Sequence, residues 1–271
     1  TASTPSWTSS TGTWSTPAPP WPDWTAPVDV LDVVLLVVGG LFAGCVNTIA
    51  GGGSLLTVPL LILTGVPGDV ANGTNRVGIL TSNVSAAEAF RRQGVSGLSR
   101  VVPVLVPVVI GSLTGSLLIS RVDAEAFERV FGIIMIPLLL LSLRPPKVQV
   151  ATRPWSGPVA AVVFFGVGLY AGAFQAGIGL LMVLALSRSG LDVVVANSVK
   201  VLVVLAVTCT ALPVFIAGSL VDWQPALVLA AGFGVGGALG ARITVAGGER
   251  VVRPVLTVAV LAMAGRLLGL Y

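Results

Sequence analysis

The sequence predicts an all-α, polytopic membrane protein built from two inverted repeats of about five helical segments each, some of them short or broken. Three observations carry that prediction. Of the 271 residues, 55% are hydrophobic and only 10% are charged, where a soluble domain carries about 25% charged residues. The apolar residues gather into long runs without period-two alternation, so the spans are helices and not barrel strands. Short motifs from the first half return in the second, the mark of an internal duplication.

Residues 1–29 hold twelve Ser/Thr, six Pro and four Trp, with no Lys or Arg. Such a segment has too little apolar content to pack a core, and it reads as a disordered extracytoplasmic tail. Its Thr1 start reads as a processed or renumbered end. Trp21 and Trp24 can anchor at the membrane interface just before the first span. The first repeat covers 30–143, with apolar runs at 30–48, 53–65, 73–90, 101–120 and 129–143. Asp29 and Asp32 fit the N-terminal end of its first helix, where negative charge is favoured. A basic cytoplasmic linker, 144–157, contains "RPPKVQVATRP". The second repeat covers 158–271, with runs at 158–174, 176–187, 194–217, 225–246 and 251–269. About 20 residues cross a ~30 Å core, so 53–65 and 176–187 read as short or broken helices.

"GLFAG" at 40–44 returns as "GLYAG" at 168–172, the Ala-Asn pair 71–72 returns at 196–197, and Gly111 and Gly115 return as Gly236 and Gly240. The offset falls from 128 to 125, which places a loss of about three residues around the first half's glycine stretch. Charge tests the relative orientation of the halves. With the N-terminus outside and five crossings per half, Arg91, Arg92, Arg100, Arg144, Lys147, Arg153, Arg188, Arg250 and Arg253 face the cytoplasm. Only Arg121, Arg129 and Arg266 then face out. An eight-crossing arrangement gives at best seven inside against five outside, so the positive-inside rule favours inverted repeats.

There is no histidine, which removes His catalysis, His metal ligation and His proton relays. Cys45 and Cys209 lie far apart without CxxC spacing and read as small packing residues. Nothing calls for a cofactor or a metal. The net charge of +4 is scattered between spans and points to topology, not to nucleic acid.

Two pairs of motifs carry chemistry. In "CVNTIAGGGSLL", 45–56, Gly51, Gly52 and Gly53 break a membrane segment and follow the polar Asn47. Backbone groups freed in lipid must be satisfied by protein or by a polar cavity. A helix restarting near Ser54 aims its positive end at the break, which suits an anion. Close helix packing is the reading for a lone glycine, whereas GGGS preceded by Asn47 favours the anion site. The second-half counterpart, "GAFQAGIGLL", keeps Gln175, Gly177 and Gly179, with a shorter break expected. In "ANGTNRVGIL", Asn72, Asn75 and Arg76 share a helix face, and in "ANSVKVLVVL", Asn197 and Lys200 do the same. Lys200 aligns with Asn75. A cation at the centre of a span costs about 2.5–3.5 kcal/mol, less near an end where it snorkels. Arg76 and Lys200 are therefore either interfacial anchors or paired charges at a midplane anion site. Arg242 reads as a surface anchor, Glu88 as an interfacial partner of Arg91 and Arg92, and Asp222 as part of an outer loop beside Trp223. Gly232, Gly236 and Gly240 read as a helix-packing stripe.

The stretches "GLFAGCVNTIAGGGSLLTVPLL" and "VANGTNRVGIL" closely resemble the first-half signature of the TauE/SafE sulfite-exporter family. "GLYAGAFQAGIGLL", "ANSVKVLVVL", "GSLVDW" and "GARI" resemble its second half. The resemblance covers roughly 30–269 and implies an integral transporter for sulfur oxyanions or organosulfonates. The expected activity is export of sulfite or an organosulfonate such as sulfoacetate by alternating access. The expected substrate site comprises Asn47, Gly51, Gly52, Gly53, Asn72, Asn75, Arg76, Gln175, Asn197 and Lys200. The cations would neutralise the anion and the amides would donate to it. The expected partners are a small anionic substrate, the lipid bilayer of the cell membrane and a possible homodimeric copy, with no nucleic acid. Three rivals remain: import or exchange of thiosulfate or sulfate, a non-transporting scaffold, and a hydrolase using Ser54 with Lys200 as base.

Overall fold

The computed structural model describes residues 6–7, 14–15, 30–95, 97–143, 155–188 and 193–246. The fifth run of the second half, residues 144–154 of the linker and most of the tail, including Trp21, Trp24 and Asp29, lie outside the described residues. Within the tail, β1 (Ser6–Trp7) pairs antiparallel with β2 (Trp14–Ser15). All other regular structure among the described residues is helical. The first half forms α1 (Val30–Ile49), α2 (Ser54–Leu63), α3 (Gly68–Arg92), α4 (Leu98–Ile119) and α5 (Ala124–Leu143). The second forms α6 (Gly157–Ala173), α7 (Ile178–Arg188), α8 (Val193–Ala217) and α9 (Trp223–Val245).

The bundle is apolar outside and encloses a polar centre within an otherwise apolar core. Val30, Val34 and Val38 on α1, and Val102, Val106 and Ile110 on α4, recur every fourth residue and are exposed. Asn72, Thr74, Asn75, Arg76, Ser82 and Asn83 of α3 are buried. In water that distribution would be unstable; in lipid it satisfies both faces. Val30–Ile49, Val194–Ala217 and Trp223–Val245 are each long and apolar enough to cross a membrane. The short helices foreseen at 53–65 and 176–187 are α2, with 10 residues, and α7, with 11. Each rises only about 15 Å, half of a hydrocarbon core.

The halves exchange partners. α1 packs along α9, and its counterpart α6 packs along α4, so each half's first helix lies on the other's fourth. Glycines bring these backbones together. A Cβ on Gly232 or Gly236 would lie 2.2 or 2.0 Å from the carbonyl oxygen of Val37 or Leu41. At the equivalent crossing, Gly111 and Gly115 would meet the Phe165 and Leu169 oxygens at 2.2 and 2.0 Å. Gly240 sits against the Cys45 backbone, so the packing role expected of the glycine stripe and of Cys45 holds. Cys209 is exposed and does not pack inward. α3 and α8 lie against each other between these crossings.

The peripheral charges lie at helix ends. Glu88 bonds to both Arg91 and Arg92 at 2.7 Å at the end of α3, Asp32 lies in the first turn of α1, and Arg242 is exposed in the last turn of α9. The Asp222 carboxylate caps α9 by accepting from the Gln224 N–H at 3.2 Å. Burial pushes its pKa up, and the Gln224 bond works against that rise.

Candidate functional site

In each half the first helix stops and a short helix restarts four residues later. The breaks are residues 50–53 and 174–177, equal in length, so the shorter second break expected from the sequence is not seen. The deficit falls on the helix instead. α1 continues five residues past Gly44, whereas α6 continues one past the matching Gly172. Four residues are about one α-helical turn. Gly51 has φ 78°, and Gln175, at the same distance beyond its helix, has φ 57°. Gly53 is a glycine for packing, since a Cβ there would lie 2.5 Å from the Ala43 oxygen.

The two breaks touch. The Gly179 N–H donates to the Gly51 carbonyl at 3.2 Å, joining the first turn of α7 to the first break. In α2, the amides of Leu55, Leu56 and Thr57 turn back to the Gly52 and Gly53 carbonyls. The N–H groups of Gly52, Gly53 and Ser54 find no acceptor among the described residues. They are the unsatisfied donors of a helix start, aimed as the sequence suggested.

A helix C-terminus leaves four carbonyls and a partial negative charge, and here the buried cations meet both. For α6, the Tyr170 oxygen accepts from the Phe174 N–H at 2.9 Å. Arg76 Nη2 donates to the Gly172 oxygen at 2.6 Å and the Ala173 oxygen at 3.2 Å, with Nη1 at 3.4 Å from the Ala171 oxygen. Asn72 Nδ2 also donates to the Ala173 oxygen, at 2.8 Å. The Arg76 guanidinium carbon lies 4.2 Å from the centre of the Phe215 ring, a cation–π contact. For α1, Lys200 Nζ donates to the Thr48 oxygen at 2.6 Å, the Asn47 oxygen at 3.1 Å and Asn197 Oδ1 at 2.9 Å. Each half's third helix thus supplies the cation that closes the other half's first helix. Arg76 and Lys200 are 0% and 1% exposed, so neither is an interfacial anchor.

The remaining polar residues hold this frame. Asn75 Nδ2 donates to Ser54 Oγ at 2.9 Å, and its Oδ1 accepts from Thr57 Oγ1 at 2.5 Å, tying α3 to the first turn of α2. Gln175 Nε2 donates to Thr208 Oγ1 at 2.6 Å, reaching α8. Asn47 is buried, and its backbone oxygen serves Lys200. Thr57, Thr208 and Phe215 were missed from sequence. Thr208 had a signal: it is a polar residue on the α8 face of Asn197 and Lys200, at helical spacing from them. Among the described residues no Asp or Glu is buried, and no carboxylate pairs with Arg76.

The described geometry is that of a buried cationic centre at two broken helices, and comparison with known proteins agrees with the membrane reading. Residues 36–267 match the family model described as Sulfite exporter TauE/SafE. A probable membrane transporter protein of Haemophilus influenzae is 28% identical over 247 residues, covering 89% of this chain and 95% of that protein. The probable membrane transporter protein YfcA of Escherichia coli K12 is 29% identical over 242 residues, covering 86% and 90%. The probable membrane transporter protein YunE of Bacillus subtilis is 28% identical over 244 residues, covering 79% and 89%. No solved structure matches. A match of that extent, on a bundle with a lipid-facing surface, means that the chain belongs to the TauE/SafE sulfite exporter family and is a membrane transporter.

Proposed function

We propose that the protein exports a small sulfur-containing anion, sulfite or an organosulfonate such as sulfoacetate, by alternating access around the two touching breaks. The observation that carries this reading is the environment of Arg76: a fully buried guanidinium whose partners among the described residues are all neutral. A buried charge normally needs a counter-charge, and a bound anion supplies it. The amides of Gly52, Gly53 and Ser54, which find no acceptor among the described residues, and the amino termini of α2 and α7 add donors and positive potential to the same region. The proposed site residues are Asn47, Gly51, Gly52, Gly53, Asn72, Asn75, Arg76, Gln175, Asn197 and Lys200. The exchange of partners between α1–α9 and α4–α6 supports treating the halves as equivalents. The nine-to-three charge split supports their inversion, with the N-terminus outside. An inside-negative potential drives a monoanion outward by about 2.3 kcal/mol per 100 mV, which makes export possible without a coupled ion.

The test is anion flux in proteoliposomes holding an imposed potential, with sulfite and sulfoacetate compared with chloride. Wild type should carry a sulfur anion selectively and in the direction of the potential, and Arg76→Gln and Lys200→Gln should each lose that flux. Flux surviving both substitutions would remove the cations from the substrate path.

A further inference from the structure

Three polar side-chain atoms are buried with no partner among the described residues: Asn72 Oδ1, Arg76 Nε and Gln175 Oε1. Gln175 lies in the second break, and Asn72 and Arg76 reach its edge from α3. Asn72 and Arg76 both bond to the Ala173 oxygen, and Gln175 lies two residues further on. The first break differs. Asn197, the repeat equivalent of Asn72, has its Oδ1 filled by Lys200 Nζ at 2.9 Å. The sequence gives the reason: three residues after the shared asparagine stands Lys200 in one half and Asn75 in the other, and Asn75 is turned to Ser54 and Thr57. Gln175 is equally singular. Its left-handed backbone, φ 57°, is held by a glycine at the matching place in the first break. A glutamine there is sterically costly, which suits a position kept for its side chain.

The orientation of the amides is fixed. Asn72 Nδ2 donates to the Ala173 oxygen and Gln175 Nε2 to Thr208 Oγ1, whose own proton goes to the Val204 oxygen. Flipping either amide would set oxygen against oxygen or leave a nitrogen unused. The break therefore offers one charged donor and two acceptors.

We propose, on the basis of the anion-transport reading, that the second break is the substrate's seat and that, between anions of equal charge, it favours a sulfonate or oxyanion carrying its own O–H or N–H donor over one without. The anionic oxygen accepts from Arg76 Nε, and the donor serves Gln175 Oε1 or Asn72 Oδ1, one acceptor for each hydrogen it carries. An anion with acceptors alone would place lone pairs against both amide oxygens. A buried site built to bond a hydroxyl rejects an analogue that lacks it far more strongly than an apolar pocket rejects a lost methylene.

The test compares 2-hydroxyethanesulfonate with ethanesulfonate, equal in charge and carbon chain, as initial flux in wild-type proteoliposomes at a fixed potential, beside sulfite and chloride. The hydroxyl compound should be carried at least about tenfold more efficiently. In Gln175→Met, which keeps length and removes the acceptor, that ratio should fall to within about threefold. The wild-type ratio decides by itself, so a variant that fails to fold does not obscure the answer. If sulfite moves and the hydroxyl compound does no better than ethanesulfonate, the donor rule falls and the transport reading stands. An unchanged ratio in folded Gln175→Met would move the seat away from the second break. If neither the sulfonates nor sulfite exceed chloride, the transport reading itself is lost.

Discussion

Gly51 and Gly179 are in backbone contact: the Gly179 N–H donates to the Gly51 carbonyl at 3.2 Å, and a Cβ on Gly179 would lie 2.1 Å from the Gly51 Cα. Backbone cannot yield as a side-chain tip can, so Gly179→Ala must push the two breaks apart. We expect it to cost about 1–3 kcal/mol, as overpacking does, and to reduce flux at least about tenfold through lost alignment. Gly234→Ala, with nothing within 4 Å of the new methyl, is the matched control and should behave as wild type. Equal flux in the two variants would show that transport does not depend on this contact.

Arg76→Lys keeps the charge and loses the fork. An ammonium on a shorter stem cannot hold the Gly172 and Ala173 oxygens while its head lies over Phe215. Thermal unfolding in detergent should show a loss of about 2 kcal/mol, the range for hydrogen bonds made by a charged group. Flux should drop with it. Full stability and full flux in Arg76→Lys would mean that charge alone matters at this position.

Gln175→Gly separates function from stability. Relief of the left-handed backbone returns about 1–2 kcal/mol, and loss of the bond to Thr208 removes about 1 kcal/mol. The melting temperature should therefore shift little. Flux of the preferred anion should fall at least about tenfold if the proposed seat uses the side chain. A melting temperature that collapses together with flux would assign Gln175 a structural role.

Inversion of the repeats can be read from labelling. The loops beginning at Gln93 and Gly218 are repeat equivalents, since α3 and α8 end at residues 92 and 217. Gln93 and Gln224 are both exposed. With Cys45 and Cys209 replaced by serine, Gln93→Cys and Gln224→Cys should react with an impermeant maleimide from opposite sides of the membrane, Gln93→Cys from the cytoplasm. Labelling from one side would make the repeats parallel and α2 and α7 re-entrant.

Much of this was legible in the sequence. The spans, the duplication and the short helices follow from apolar run lengths and recurring letters, which local chemistry dictates. The glycines at helix crossings were legible because GxxxG spacing has a packing cause. The crossed caps were not. That Arg76 closes α6 and Lys200 closes α1 depends on contacts between residues nearly 100 or more positions apart, and no periodicity records such a pairing. The lost residues were placed at the glycines because letters do not reveal where a helix ends; the turn is missing from α6. Gln175 was taken as a donor because an amide facing an anion donates to it through its nitrogen. Only the coordinates show its nitrogen engaged with Thr208 and its oxygen left open.

The missing turn has a consequence for a carrier that alternates by trading the conformations of its halves. If the halves were identical, the trade would reproduce the same molecule facing the other way, and the empty protein would divide its time equally between its two faces. Under the proposed cycle, the trade here would be between unlike helices, a longer one closed by an ammonium and one a turn shorter closed by a guanidinium. The two faces then differ in free energy, and each 1.4 kcal/mol of difference is about a tenfold difference in occupancy. Under the proposed alternating-access cycle, losing four residues from one helix end would give the empty carrier a home position, from which each cycle would begin.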